Sequence, residues 1–114
     1  MKISLQENLA QLPLPATEKW PEGVFDIEAL THGSMSLLLF APKGYDYQTP
    51  HEQDELYFVC EGHGVLEIEG KPFSFDQGDV LFVAARKQHR FTSFSDDIKL
   101  WAVFWGPPGG EHNE

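Results

Sequence analysis

The chain has 114 residues, 41% of them hydrophobic and 13% aromatic, which is the composition of one folded domain and excludes a disordered chain. Its 18 Asp plus Glu residues against 8 Lys plus Arg give a formal net charge of -10, which excludes polyanions such as nucleic acid and anionic membrane surfaces as favoured partners. A single cysteine, Cys60, excludes an intrachain disulfide and a cysteine-rich zinc site, and fits a reducing compartment.

Met1 to Asn8 has no sustained apolar stretch and acquires an acid early, so it does not read as a signal peptide. The longest apolar run, near Leu37 to Ala41, is too short to span a bilayer, and a soluble cytoplasmic protein is expected. Pro13, Pro15 and Pro21 argue against a long helix in residues 1–23. Ile3, Leu5, Leu9, Leu12, Leu14 and Trp20 make that segment too apolar for a free tail, and it reads as an arm packed on the main body or on a second subunit. Val24 to Leu30 reads as a strand with imperfect alternation.

From residue 35 onward strand signals dominate. Met35 to Ala41 ends at Pro42-Lys43-Gly44, Glu55 to Glu61 ends at Gly62-His63-Gly64, and Val65 to Glu69 stops at Gly70. Lys71 to Phe75, Val80 to Val83, His89 to Phe94 and Ile98 to Trp105 follow, and Gly106-Pro107-Pro108 ends regular structure. Seven or eight short strands with glycine turns and no convincing amphipathic helix point to a sandwich, jelly roll or small barrel. The strands from Glu55 and from Ile98 are apolar on both faces, so each requires cover on both sides, from the N-terminal arm or a partner subunit.

One stretch carries chemistry. On a regular strand, Thr49, His51, Gln53, Glu55 and Tyr57 fall on one face. A histidine and a carboxylate converging at the start of a buried strand are costly to bury without a partner, which suggests a metal or small-molecule site.

At this point the residues resemble a known family. Gly44, then Pro50-His51, Glu55 and, six residues on, Gly62 resemble the first motif of the cupins: glycine, five residues, His-x-His, three or four residues, glutamate, six residues, glycine. Anchored on Glu55 and Gly62, His51 takes the place of the second histidine and Thr49 that of the first, so the first histidine ligand is missing. Gly78 to Ser93 resembles the second motif: Gly78 and His89 match, while Ala84, Arg86 and Ser93 replace its proline, glycine and asparagine.

The resemblance implies an all-β fold, a double-stranded β-helix or jelly-roll cupin barrel over 24–106, often a homodimer, with the motif residues facing inward. Residues 1–23 are then the N-terminal arm and 107–114 a flexible tail. It also implies His51, Glu55 and His89 as metal ligands. Two imidazoles and one carboxylate suit one divalent transition metal, Fe, Mn, Ni or Zn, with positions left open. The alternative is a metal-free barrel in which His51 and Glu55 form a hydrogen-bonded pair.

Around this set the candidate pocket residues are Thr49, Gln53, Tyr57, Phe91 and Trp101. Thr49 offers a hydroxyl to a metal-bound water or caps a strand end. Gln53 offers a fourth ligand, a substrate contact or a solvated rim residue. Tyr57 is a pocket donor or a core residue, and Phe91 and Trp101 are pocket walls or core. Cys60 is expected as a buried thiol facing away from His51, and Arg86 as a substrate-carboxylate clamp or a surface charge. Two functions remain open: a metal-dependent enzyme of dioxygenase, isomerase or lyase type on a small organic molecule, and a non-catalytic small-ligand or sensor module.

Overall fold

The computed structural model describes residues 1–112. Its first element is one the prolines did not suggest. The Glu7 backbone N–H donates to the Ser4 hydroxyl (3.1 Å) and starts a short helix, α1 (Leu5–Leu9). Such a cap contributes about 1 kcal/mol. The helix packs on the second strand and ends ahead of Pro13, which has no N–H to continue it. Further on, Leu14 and Val24 form an isolated antiparallel bridge.

Eight strands follow: β1 (Asp26–His32), β2 (Met35–Phe40), β3 (Asp54–Glu61), β4 (Gly64–Ile68), β5 (Lys71–Phe75), β6 (Val80–Val83), β7 (His89–Phe94) and β8 (Lys99–Trp105). The first begins two residues later than its alternation suggested. A register shift between Glu28 and Leu30 explains why the pattern there was imperfect. All pairings are antiparallel. Five strands form one sheet in the order β1-β2-β8-β3-β6, and three form another in the order β5-β4-β7. Among the described residues no ladder joins the two sheets, so the expected barrel is not closed by hydrogen bonds. Side chains hold the sheets together instead.

Those side chains are Tyr57 and Val59 from β3, Leu100 and Ala102 from β8, Leu66 from β4, and Phe91 from β7. Each fully buried leucine or aromatic contributes about 1.5–3 kcal/mol of transfer free energy. The rings interlock edge to face: Phe91 stands 5.0 Å from Tyr57 and 5.6 Å from Phe75 between ring centres. The opposite face of the larger sheet is less well covered. Phe58 is 40% exposed and Val80 and Phe82 are each 54% exposed, so the second cover expected for these strands is incomplete within one chain.

Gly62 closes β3 for a steric reason. Its φ is +93°, and a Cβ there would lie 2.6 Å from Ser95 Oγ and 2.8 Å from Ile98 Cα. Cys60 is half-buried and not buried as expected, because it lies at a register shift between Val59 and Glu61. The tail expected to be flexible over 107–114 is tied down in its first part. Gly109 N–H donates to Glu52 O (2.7 Å), and Glu111 N–H donates to the buried Asp54 carboxylate (3.0 Å). Residues 113 and 114 lie outside the described residues.

Candidate metal centre

The two sheets bring together residues that are far apart in sequence. Inward-facing Glu55 and Tyr57 come from β3, and Phe104 pairs with Glu55 across the ladder from β8. His89 is the first residue of β7 on the facing sheet. His51 lies in the loop before β3. That loop is pinned to the second half of the site, because Arg86 N–H donates to His51 O (2.6 Å) three residues before His89.

One ligand atom from each of His51, Glu55 and His89 lies within 4.8 Å of the others. The closest approach is His89 Nε2 to Glu55 Oε1, at 3.3 Å, with the two side chains 1% and 2% exposed. The contact is not aligned as a hydrogen bond, and neither atom has another partner. His89 Nδ1 lies 2.9 Å from the Lys87 carbonyl. A carbonyl only accepts, so Nδ1 carries the hydrogen and the Nε2 lone pair faces the carboxylate. Two acceptors held this close in a dry interior call for a cation between them, either a proton or a metal ion.

The titration behaviour follows from the same contact. Burial pushes the Glu55 carboxyl up, against the lowering effect of His89. Burial pulls His89 down, but the Glu55 carboxylate and the Lys87 carbonyl outweigh it and the net shift is upward. His51 behaves differently. Burial, then the neighbouring His89 and Lys19, hold it down to about 4, so its imidazole is neutral near pH 7 and free to act as a ligand. Burial and the Glu55 carboxylate drive the Tyr57 hydroxyl well above its ordinary range, which makes it a hydrogen-bond donor and not a phenolate.

The residues present therefore fit a divalent metal. Two buried orphaned atoms aim into the site, and two imidazoles and a carboxylate supply borderline donors suited to first-row metals. Beside them lies a cavity of about 130 Å³. Its walls include Leu38, Phe40, Tyr57, Ala102 and Phe104, with Lys19, Trp20 and Asp26 at one side.

Of the candidate pocket residues, Tyr57 lines this cavity and Phe91 backs Tyr57 from the core. The other three lie elsewhere. Thr49 is exposed, and its hydroxyl accepts a hydrogen bond from Lys19 Nζ (3.1 Å). Gln53 donates from Nε2 to the carbonyls of Ser34 and Gly106 (2.9 Å each), turned away from the ligands. Strand alternation does not reach it, because β3 begins only at Asp54. Trp101 pairs with Phe58 on the outer face of the sheet, opposite the cavity. Arg86 is paired at the surface with Glu52 (2.7 Å).

Two residues not read as site residues stand within it. Gln48 Oε1 lies 3.3 Å from His51 Nε2 and accepts from the Tyr57 hydroxyl (3.1 Å). Fully buried Asp46 holds that amide by accepting from Gln48 Nε2 (2.6 Å), and it also accepts from the backbone N–H groups of Gln48 and Phe91. Gln48 is out of step with the Glu55 face, and no spacing rule picks it out. Lys19 and Trp20 were also not assigned to a pocket, since nothing in the sequence shows where residues 1–23 cross the sheets.

Comparison with known proteins gives a consistent family. Residues 36–105 match the family model of the cupin domain. An uncharacterised protein of Streptomyces coelicolor is 33% identical over 84 residues, covering 72% of this chain and 79% of that protein. An acireductone dioxygenase of Bacillus thuringiensis is 38% identical over 58 residues, covering 46% of this chain. The match spans only 34% of the dioxygenase's own length. Among solved structures, a Neisseria meningitidis protein superposes with a TM-score of 0.64 at 19% identity, covering 93% of this chain and 100% of that one.

Proposed function

The chain belongs to the cupin family, and we propose that it is a metal-binding member whose His51, Glu55 and His89 hold one divalent transition metal, Fe, Mn, Ni or Zn. The single observation that carries this reading is the pair of buried, partnerless acceptors Glu55 Oε1 and His89 Nε2 at 3.3 Å. A bound metal of this kind supplies a Lewis acid with positions left open beside the cavity. Around it, this chain's residues exclude water with Phe40, Leu38 and Phe104, and the Tyr57 hydroxyl, which donates to Gln48 Oε1, forms part of the same wall. Lys19 offers a positive charge at the rim.

The reaction class that fits best is a metal-dependent oxygenation of a small organic molecule. It is supported by the acireductone dioxygenase among the relatives and by a donor set of two histidines and one carboxylate. A cavity of about 130 Å³ favours a small substrate. The same reading takes the fold as a jelly roll with residues 1–23 as an arm, and places the protein in the cytoplasm, where a single unpaired cysteine persists. It gives the chain no nucleic-acid or membrane partner, in keeping with its acidic charge, and no described helix is long and apolar enough to cross a membrane. A second copy covers the exposed outer face.

Metal analysis of protein purified without chelators tests the proposal. One equivalent of metal in the wild type, lost in His51→Ala and His89→Ala variants that still fold, is expected. Folded wild-type protein that takes up none of the four metals would refute it. A second reading, a non-catalytic ligand-binding module, is favoured by the missing first motif histidine at Thr49. Stabilisation by a small organic molecule under oxygen, with no product formed, would select it.

A further inference from the structure

Building on the metal reading, we propose that the side-chain amide oxygen of Gln48 is the fourth protein donor of this centre, standing in for the histidine that Thr49 does not supply. The orientation of the amide is fixed by chemistry. Asp46 Oδ2 lies 2.6 Å from one end of it, and a carboxylate accepts, so that end is the NH₂. The other end, Oε1, therefore faces Tyr57 and His51.

A carbonyl oxygen has two acceptor directions. One is used by the Tyr57 hydroxyl at 3.1 Å. The other meets His51 Nε2 at 3.3 Å. While Nε2 carries its hydrogen, this contact is a weak hydrogen bond. Once Nε2 gives up that hydrogen to act as a ligand, two lone pairs face each other, as at Glu55 and His89. The spacings are the same in both pairs, 3.3 Å. Donors about 2.1 Å from a common ion stand roughly 3.0–3.4 Å apart in octahedral or tetrahedral geometry. Each contact thus has the length of an edge of a coordination polyhedron.

The environment supports a fixed ligand and not a mobile side chain. Asp46 is 0% exposed and takes three hydrogen bonds, two of them from Gln48 itself. Its negative charge polarises the amide and increases the electron density on Oε1. The donor set becomes two imidazoles, one carboxylate and one neutral amide oxygen. Compared with three imidazoles, this set is harder and favours Mn(II) and Fe(II) relative to Cu(II).

The test uses Co(II) and Mn(II) as probes on the full chain. Co(II) affinity is measured by competition with a chromophoric chelator, together with the visible absorption of the Co(II) protein. A crystal of the Mn(II) protein gives the metal–oxygen distance. Gln48→Leu is expected to weaken Co(II) at least tenfold and to change the visible band. Gln48→His should restore the affinity and shift the band to higher energy, because nitrogen replaces oxygen. Tyr57→Phe keeps the amide and should stay within threefold of wild type. In the Mn(II) crystal, Gln48 Oε1 should lie about 2.1–2.3 Å from the ion.

Melting of each metal-free variant separates loss of the fold from loss of a ligand, and the wild-type crystal decides the question if Gln48→Leu does not fold. Stoichiometric metal with Gln48 Oε1 beyond 3 Å, or an unchanged band and affinity in Gln48→Leu, overturns this inference and leaves the metal reading standing. Equal losses in Tyr57→Phe and Gln48→Leu also overturn it, since the amide would then act only through hydrogen bonding. No metal in the wild type overturns both.

Discussion

His89 Nε2 and Glu55 Oε1 face each other across the gap between the two sheets at 3.3 Å, buried and without other partners. In the metal-free protein a shared proton is what relieves this contact, and both groups titrate above their ordinary values. A divalent metal held by Glu55 and His89, as proposed, would take the place of that proton.

Metal uptake is therefore expected to release close to one proton per ion below the raised His89 titration, and progressively fewer as pH rises through it. The apparent affinity falls correspondingly as pH is lowered. Calorimetric titrations in two buffers of different ionisation enthalpy count the protons directly. A release of zero at every pH would rule out the shared proton.

His51 should remain neutral in the metal-free protein down to about pH 4. The unfolded chain takes up its proton near the ordinary value of about 6.5, so the unfolded state binds more protons between those two limits. The stability contribution is thus present above the unfolded value and lost as pH falls towards 4. Following the ring protons by NMR gives the titration. Lys19→Met should move it upward, since the nearby ammonium is one of the groups holding it down.

Asp46→Asn should destabilise the fold by about 2 kcal/mol. It removes the charge behind three hydrogen bonds in a fully buried place, and the new amide sets an NH₂ against a donor. Urea denaturation of the metal-free protein provides the measurement. The same variant should bind Co(II) more weakly than wild type, because the Gln48 amide is no longer held.

Phe82→Glu should leave the monomer's stability within about 0.5 kcal/mol, as Phe82 is 54% exposed. It should abolish self-association through the outer face of β3, β6 and β8. Light scattering across a concentration series distinguishes the outcomes, and a wild type that stays monomeric throughout removes the second copy from the proposal.

The strands were legible because their signals are local. Apolar runs ended by Pro42, Gly62, Gly70 and Gly106 mark the ends of β2, β3, β4 and β8 to within a residue or two. Glu55 and His89 were legible because each sits on or at the end of a regular strand, where spacing maps directly onto a face. The same rule failed for Gln53 and Thr49. Pro50 and the loop before Asp54 break the alternation, and an out-of-step residue, Gln48, turns inward. α1 was missed because five residues are too few to show a 3.6-residue period, although Ser4 followed by Glu7 was a cap signal in plain view. Trp101 was misplaced because both faces of β8 are apolar, so hydrophobicity alone could not tell inside from outside.

Lys19 and Trp20 border the cavity, yet they belong to a stretch that supplies no strand to either sheet. On the proposed function, the groups that would hold the metal and two of the groups at the cavity's rim are therefore encoded in separate parts of the chain. A substitution at Trp20 would then reshape the cavity's rim while leaving His51, Glu55 and His89 in place, whereas one at Lys19 would also change the charge that His51 feels.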